Sequence, residues 1–213
     1  FNREFLGVYP GGGGYEFDVE KDIRYSSNRN IILIKGYQNL FGECIPVLKA
    51  VQKIRNELED YEIIVFGAEK DTVDYIEKSD LINYTNFTFL KSIGRGELMK
   101  IMGKSLIYIG NSISDGMPNT LLESIIMGAF PMQSDPGGAT AELIEHQKNG
   151  FLIQDPLDVN EIRSLILKAI NDKAFLAQAV GYNFKQIKPK LEREFVRKEV
   201  LEKYSLVEKA IKA

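Results

Sequence analysis

From Ile31 to Ile153, short runs of β-branched and aromatic residues alternate with longer stretches whose apolar residues recur at three- and four-residue intervals. The short runs predict strands over 31–35, 62–67, 87–90, 105–110 and 130–134, and a brief last strand over 151–153. The longer stretches predict helices over 43–58, 71–78 (with Asp71 as its cap), 97–102, 119–127 and 139–145. Asp158 and Glu161 have the spacing of a capping box opening a helix to about Asn171, and residues 175–211 read as one or two terminal helices broken near Pro189. Strict alternation of this kind predicts an α/β fold, a parallel sheet with helices on both faces, and ligands at the carboxyl ends of its strands.

One strand-to-helix junction carries candidate chemistry. The apolar run 105–110 passes through a turn, Asn111 to Met117, into a helix that Pro118 opens, where its missing N–H has no intrahelical partner to lose. The N–H groups of Asn119, Thr120 and Leu121 then point forward unpaired at the positive end of the helix dipole, a site for phosphate. Glu123 shares the face of Asn119 and Thr120, about 6 Å further along the axis, where it repels phosphate but accepts hydrogen bonds from a diol such as a ribose. Asp115, in the turn, accepts from hydroxyls at the other end of the same ligand. Hydroxyls, phosphate, hydroxyls is the order of groups in a nucleotide sugar. The same spacing also fits a plain N-cap at Asp115 and a solvated Glu123.

Composition narrows the field without adding chemistry. The 213 residues, 44% hydrophobic and 27% charged, suit one globular domain, and no apolar run approaches the roughly 20 residues that span a bilayer. Phe1-Asn2-Arg3 in place of an initial Met, and no signal-peptide pattern, suggest a piece of a longer or processed protein. The single Cys44 reads as a core residue and suits a reducing cytoplasm. With His146 the only histidine, His-based triads and multi-histidine metal sites lie outside this chain's means. Residues 185–213 hold nine Lys or Arg against five Glu, so a net +4 sits on a formal charge of −3 overall. Such a basic tail is compatible with peripheral membrane contact or with a second domain, and is more often only a solvated helix face. Nothing supports nucleic-acid binding, and Gly36 to Gly42 lacks the dinucleotide-binding glycine spacing.

Asp115, Gly116, Pro118, Glu123, Gly128, Pro131, Gly137, Gly138, Glu142, Asn149 and Gly150 occur in an order that resembles the donor-binding half of family 4 glycosyltransferases, retaining enzymes of the GT-B fold. The resemblance implies a Rossmann-like parallel sheet, the C-terminal half of a GT-B fold, followed by C-terminal helices. It implies that residues 1–30 are an interdomain lead-in with Pro10 to Gly14 at the crossing, 31–183 the nucleotide-sugar-binding domain, and 184–213 a helical extension packing toward an absent acceptor half. Asp115 and Glu123 are the implied catalytic positions, Glu123 on the ribose and Asp115 on the donor sugar with Gly116. Met117 and Pro118 belong to the same turn, and Asn119, Thr120 and Leu121 receive the diphosphate. Gly36 opens the loop beside it, and Ser92 to Arg95 lie near the base. A nucleoside-diphosphate sugar is the implied co-substrate, with no metal or cofactor, and a glycan or glycolipid the acceptor, at the cytoplasmic membrane face. Gly137-Gly138 either lets backbone approach the ligand or makes a tight turn.

Two departures stand out. Asp115 replaces the family's usual Glu, one methylene shorter. The loop after Gly36 holds no Lys or Arg before Lys49, where the family has two cations for the diphosphate; Lys35, Lys91 and Arg95 are the substitutes within reach, with Arg95 preferred. The missing cations keep open a non-catalytic binding or scaffold module of the same fold, and a GT-B-related sugar-nucleotide epimerase is a further alternative.

Overall fold

A computed structural model describes residues 13–16, 20–24 and 28–212. Six strands, β1 (Ile31–Lys35), β2 (Glu62–Phe66), β3 (Phe87–Leu90), β4 (Ser105–Gly110), β5 (Phe130–Ser134) and β6 (Phe151–Ile153), pair in parallel in the order β3-β2-β1-β4-β5-β6. Around them lie α1 (Cys44–Lys53), α2 (Lys70–Lys78), α3 (Arg95–Met102), α4 (Asn119–Ile126), α5 (Val159–Asn171), α6 (Lys173–Tyr182) and α7 (Arg193–Lys212). Strand side chains alternate between two cores. Ile32 and Ile34 of β1 pack with Val47, Leu48 and Ile166 from α1 and α5, while Ile31 and Leu33 pack with Leu98, Leu122 and Ile125 from α3 and α4. Because helices cover both faces, the central strands are continuous apolar runs. Cys44 belongs to the first core, where burial pushes its thiol up to about 12. No helix among the described residues is long and apolar enough to cross a membrane.

Where helices differ from expectation, a side chain supplies the reason. The helix expected over 43–58 ends at Lys53; Ile54 leaves helical geometry and a separate 3₁₀ turn, Asn56–Leu58, tucks Leu58 into the core. Asp71 does not cap α2. The helix starts one residue earlier, after Glu69, whose carboxylate is drawn away to the Gln38 N–H and the Asn39 amide. Asp158 does cap α5, accepting from the N–H groups of Asn160 and Glu161, but Glu161 reaches past it to the N–H groups of Gln154 and Asp155. The helix expected over 139–145 shrinks to a 3₁₀ turn, Thr140–Glu142. Buried Asn149 intervenes, accepting from the Glu145 N–H and donating to the Leu143 carbonyl and Asn183 Oδ1, so the chain is held in a loop. The break near Pro189 is present, as a π turn (Asn183–Ile187) and a 3₁₀ turn (Lys188–Leu191) between α6 and α7.

Of the glycine run, Gly11 and Gly12 lie outside the described residues, as does Pro10. Gly14, at φ +88°, fits against the start of α7, where an added Cβ would lie 2.8 Å from the Arg193 Cα. Tyr15 is stitched there by bonds from its N–H to the Leu191 carbonyl and from the Arg193 N–H to its own carbonyl.

At the amino ends of the strands, Arg29 is 6% exposed and its guanidinium donates to the carbonyls of Arg24, Met102, Ser105 and Met127. It thereby closes the carboxyl ends of α3 and α4, where the helix dipole is negative, and burial depresses its pKa to about 10. Replacing it by Met strands several buried carbonyls at roughly 1–3 kcal/mol each, so Arg29→Met is expected to lower the unfolding free energy by about 3 kcal/mol or more in chemical denaturation. A loss under about 1 kcal/mol would show that the guanidinium does not hold the helix ends.

His146 Nδ1 accepts the Leu152 N–H at 3.0 Å, a bond that requires the neutral ring, and desolvation, then the charge of Lys168, lowers its pKa. The unfolded chain therefore binds the proton more readily, and the associated stability is present above the ordinary histidine pKa of about 6.5 and is lost as pH falls below it. Thermal melts at pH 7.5 and 5.5 should separate more for the wild type than for His146→Asn; equal separation would remove His146 from the acid response.

Candidate functional site

The winding of the sheet reverses between β1 and β4, since β2 and β3 follow on one side and β5 and β6 on the other. A crevice opens outside the carboxyl ends of these two strands. The turn after β4 is fixed at its root. Asn111 Nδ2 donates to the carbonyls of Glu43 and Pro156, the Ser112 N–H donates to Ser134 Oγ at 2.8 Å, and the Ile113 N–H to the Phe41 carbonyl. Beyond that root the turn is open: Gly116 has no neighbour within 4 Å of an added Cβ, and Met117 is half-buried. Gly137 passes beside the Asp115 carbonyl, 3.7 Å from where its Cβ would be, and Gly138 turns the chain at φ +79°.

Pro118 is the N-cap of α4 (φ −67°, ψ 127°) rather than its first helical residue. Its carbonyl accepts the N–H groups of Leu121 at 3.1 Å and Leu122 at 3.3 Å, so Leu121, expected to offer an open donor, has its N–H engaged and its side chain buried. Asn119 and Thr120 keep the open N–H groups at the positive end of the helix. The Thr120 hydroxyl shares a 2.8 Å hydrogen bond with the phenol of fully buried Tyr108, which orients the first turn from below. The Asn119 side chain accepts from Tyr15 OH at 3.2 Å. Burial, then the charge of Glu123, pushes the Tyr15 phenol up to about 12.

Asp115 lies in the turn before this helix and Glu123 one turn into it, and burial and the charges of both raise the pKa of Tyr108. Glu123 is 7% exposed and its Oε1 accepts from Arg95 Nε at 2.8 Å, which raises the arginine's pKa further. It is therefore a buried, partnered carboxylate and not a solvated helix residue. Arg95, the preferred substitute cation, opens α3 and gives only its Nε to that pair, its side chain being otherwise 69% exposed, while Ser92 sits exposed in the loop before it. Asp115 is partnered instead by Lys35, whose Nζ lies 3.7 Å from Oδ2 and 4.6 Å from the centroid of the Tyr37 ring. Lys35 is the residue that sequence reasoning undervalued; its position at the end of β1 was visible, but not that this end faces Asp115.

Other residues of the pattern have structural work. Gly36 is buried with Ala68 N only 2.9 Å from its added Cβ, and its carbonyl takes the Thr72 hydroxyl and the Glu69 N–H, so it packs the β1 and β2 loops together. Gly128, at φ +78°, ends α4 against the Phe184 ring and Arg29. Asn149 is buried and fully bonded, and Glu142 is exposed on its 3₁₀ turn. Among the described residues no three His, Cys, Asp or Glu side chains gather as metal ligands.

The domain is doubly wound, with an open helix start at its switch point and a carboxylate in the turn before it and another one turn into the helix. Residues 27–186 match the family described as Glycosyl transferases group 1, and the chain belongs to that family. No curated protein matches the sequence. Among solved structures, a Staphylococcus aureus TarM mutant in complex with fondaparinux, alpha-GlcNAc-glycerol and UDP aligns over 95% of this chain at 17% identity and a TM-score of 0.68. Anabaena HepE in complex with UDP and glucose aligns over 84% at 18% identity and 0.67, and a Rickettsia africae glycosyltransferase over 84% at 15% and 0.70. The fold is thus the Rossmann-like sheet of GT-B glycosyltransferases. The chain spans 38%, 49% and 48% of those three proteins, respectively.

Proposed function

We propose that residues 31–183 bind the donor of a retaining glycosyltransferase that transfers a sugar from a nucleoside diphosphate to a glycan or glycolipid. The observation that carries this reading is the open α4 terminus at the sheet's switch point, with Asp115 in the turn before it and buried Glu123 one turn into the helix. The ribose diol donates to Glu123, the diphosphate faces the Asn119 and Thr120 N–H groups, and Asp115 with Gly116 orients the sugar hydroxyls. In transfer, the bond from the sugar's anomeric carbon to the β-phosphate oxygen breaks with its electron pair on that oxygen. The acceptor hydroxyl oxygen forms the new bond on the same face and its proton goes to the departing phosphate. The growing charge is met by the fixed dipoles of the α4 terminus together with a side-chain cation of the crevice, with no metal or cofactor and no covalent enzyme intermediate. The acceptor site belongs to a further domain, since the chain spans less than half of each of the neighbours described above. The exposed Leu201, Tyr204 and Leu206 beside the basic residues of α7 support a place at the cytoplasmic membrane face.

Calorimetric titration of this chain with UDP, GDP and ADP is expected to give saturable binding of at least one; folded protein that binds none would end the reading. Glu123→Gln should weaken the parent nucleoside by about tenfold, because a hydrogen bond to a charged group is lost at the ribose, and the nucleotide by less, because the carboxylate's repulsion of the phosphates is lost with it. The loop from Gly36 to Leu48, without Lys or Arg, favours a second reading, a non-catalytic module of the same fold. Donor binding without transfer or hydrolysis by the whole protein would select it.

A further inference from the structure

A diphosphate entering between Asp115 and Glu123 meets two carboxylates, so its binding depends on cations inside the crevice and not on the helix dipole alone. Arg95 gives its Nε to Glu123 and its side chain is 69% exposed, and Lys91 is exposed at the end of β3, two strands away from β1 in the sheet. The loop after β1 is stiffened by neutral and acidic groups: Asn39 Oδ1 accepts from the N–H groups of Phe41 and Gly42, and Glu43 and Glu69 accept from Gln38. Lys35 differs from all of these. Its side chain is 15% exposed, on a central strand, on the sheet face that carries α4. Its Nζ is within ion-pair distance of Asp115 at 3.7 Å, beyond hydrogen-bond length, and makes no hydrogen bond among the described residues. An ammonium that is mostly buried and keeps all three donors unspent lies beside the place where the ligand's charge must fall.

We propose that Lys35 is the phosphate-binding cation of this site. It replaces, from the strand end, the cations that the following loop lacks, and Asp115 and the Tyr37 ring hold it in the free protein until a diphosphate takes its donors. This assignment rests on the donor-site reading above. With Lys35 present the crevice charges balance, Lys35 against Asp115 and Arg95 against Glu123; without it an anion enters a site of net negative charge. The four-carbon stem lets the ammonium follow the phosphate by rotamer change.

The test is titration of the wild type, Lys35→Gln, Lys35→Arg and Asp115→Asn with inorganic pyrophosphate, with UDP, GDP and ADP, and with uridine, guanosine and adenosine, thermal melts confirming that each variant is folded. Lys35→Gln should weaken pyrophosphate and the bound diphosphate by about ten- to a hundredfold and leave the parent nucleoside unchanged. Lys35→Arg should recover part of the loss, and Asp115→Asn should keep or tighten pyrophosphate binding by freeing the ammonium. If Lys35→Gln does not fold, Lys35→Arg carries the test through the wild-type lysine ammonium signal missing from its NMR spectrum, which pyrophosphate should shift. Diphosphate affinity within about twofold of wild type in Lys35→Gln, equal loss of nucleoside and diphosphate, or an unshifted ammonium signal would overturn the role of Lys35 while leaving the donor site standing. A wild-type protein that binds no nucleotide overturns both.

Discussion

Reversal of the sheet's winding at β1 and β4 is the constraint on which the rest of the molecule depends. The chain winds from β1 to β2 and β3 on one side of the sheet's order and from β4 to β5 and β6 on the other, so the carboxyl ends of the two central strands are left uncovered. Two loops meet there. Gly36 to Gly42 is pressed against the β2 loop by a glycine that tolerates no side chain, and the turn after β4 is bolted to it through Asn111, Ile113 and the short pairing of Gly42 with Ser112. A helix started from such a root has its direction set before any ligand arrives.

α4 is held at both ends by different physics. Its amino end is oriented through Thr120 and Tyr108, a hydrogen bond made by a phenol that burial keeps protonated. Its carboxyl end is closed by Arg29 on the Met127 carbonyl and by Gly128 against Phe184. Clamping the far end with a buried cation leaves the near end with unspent N–H groups and the positive pole of the dipole. The same guanidinium ties α3, whose first residue, Arg95, partners Glu123. One buried arginine thus steadies two helices whose opposite ends meet at the crevice.

Charge in that crevice is arranged in crossed pairs. Glu123 is desolvated, and leaving it without Arg95 would put an uncompensated carboxylate in a buried site. Asp115 is more open and its partner is looser, an ion pair at 3.7 Å with no hydrogen bond. The tight pair suits a structural anchor that offers a lone pair to a hydroxyl. The loose pair is free to exchange partners.

Much of this was legible in the chain. Strand ranges followed from short, largely apolar runs of three to six residues, because the burial of a strand on a doubly covered sheet shows in its own residues, and five of the six strands occupy the expected residues. The Asp115 to Glu123 junction was readable for the same reason, since helix periodicity puts Glu123 on the face of Asn119 without reference to the rest of the fold. What the tertiary structure decided were pairings between residues distant in sequence. Asn149 and Asn183 turned an expected helix into a loop, and Tyr15 came to rest on the Asn119 side chain. Arg95 was captured by Glu123 and Lys35 was brought to Asp115. Local patterns specify which segments become strands and helices because those are set by neighbours in the chain. Which cation faces which carboxylate depends on strand order and loop contacts, and no short-range pattern encodes these.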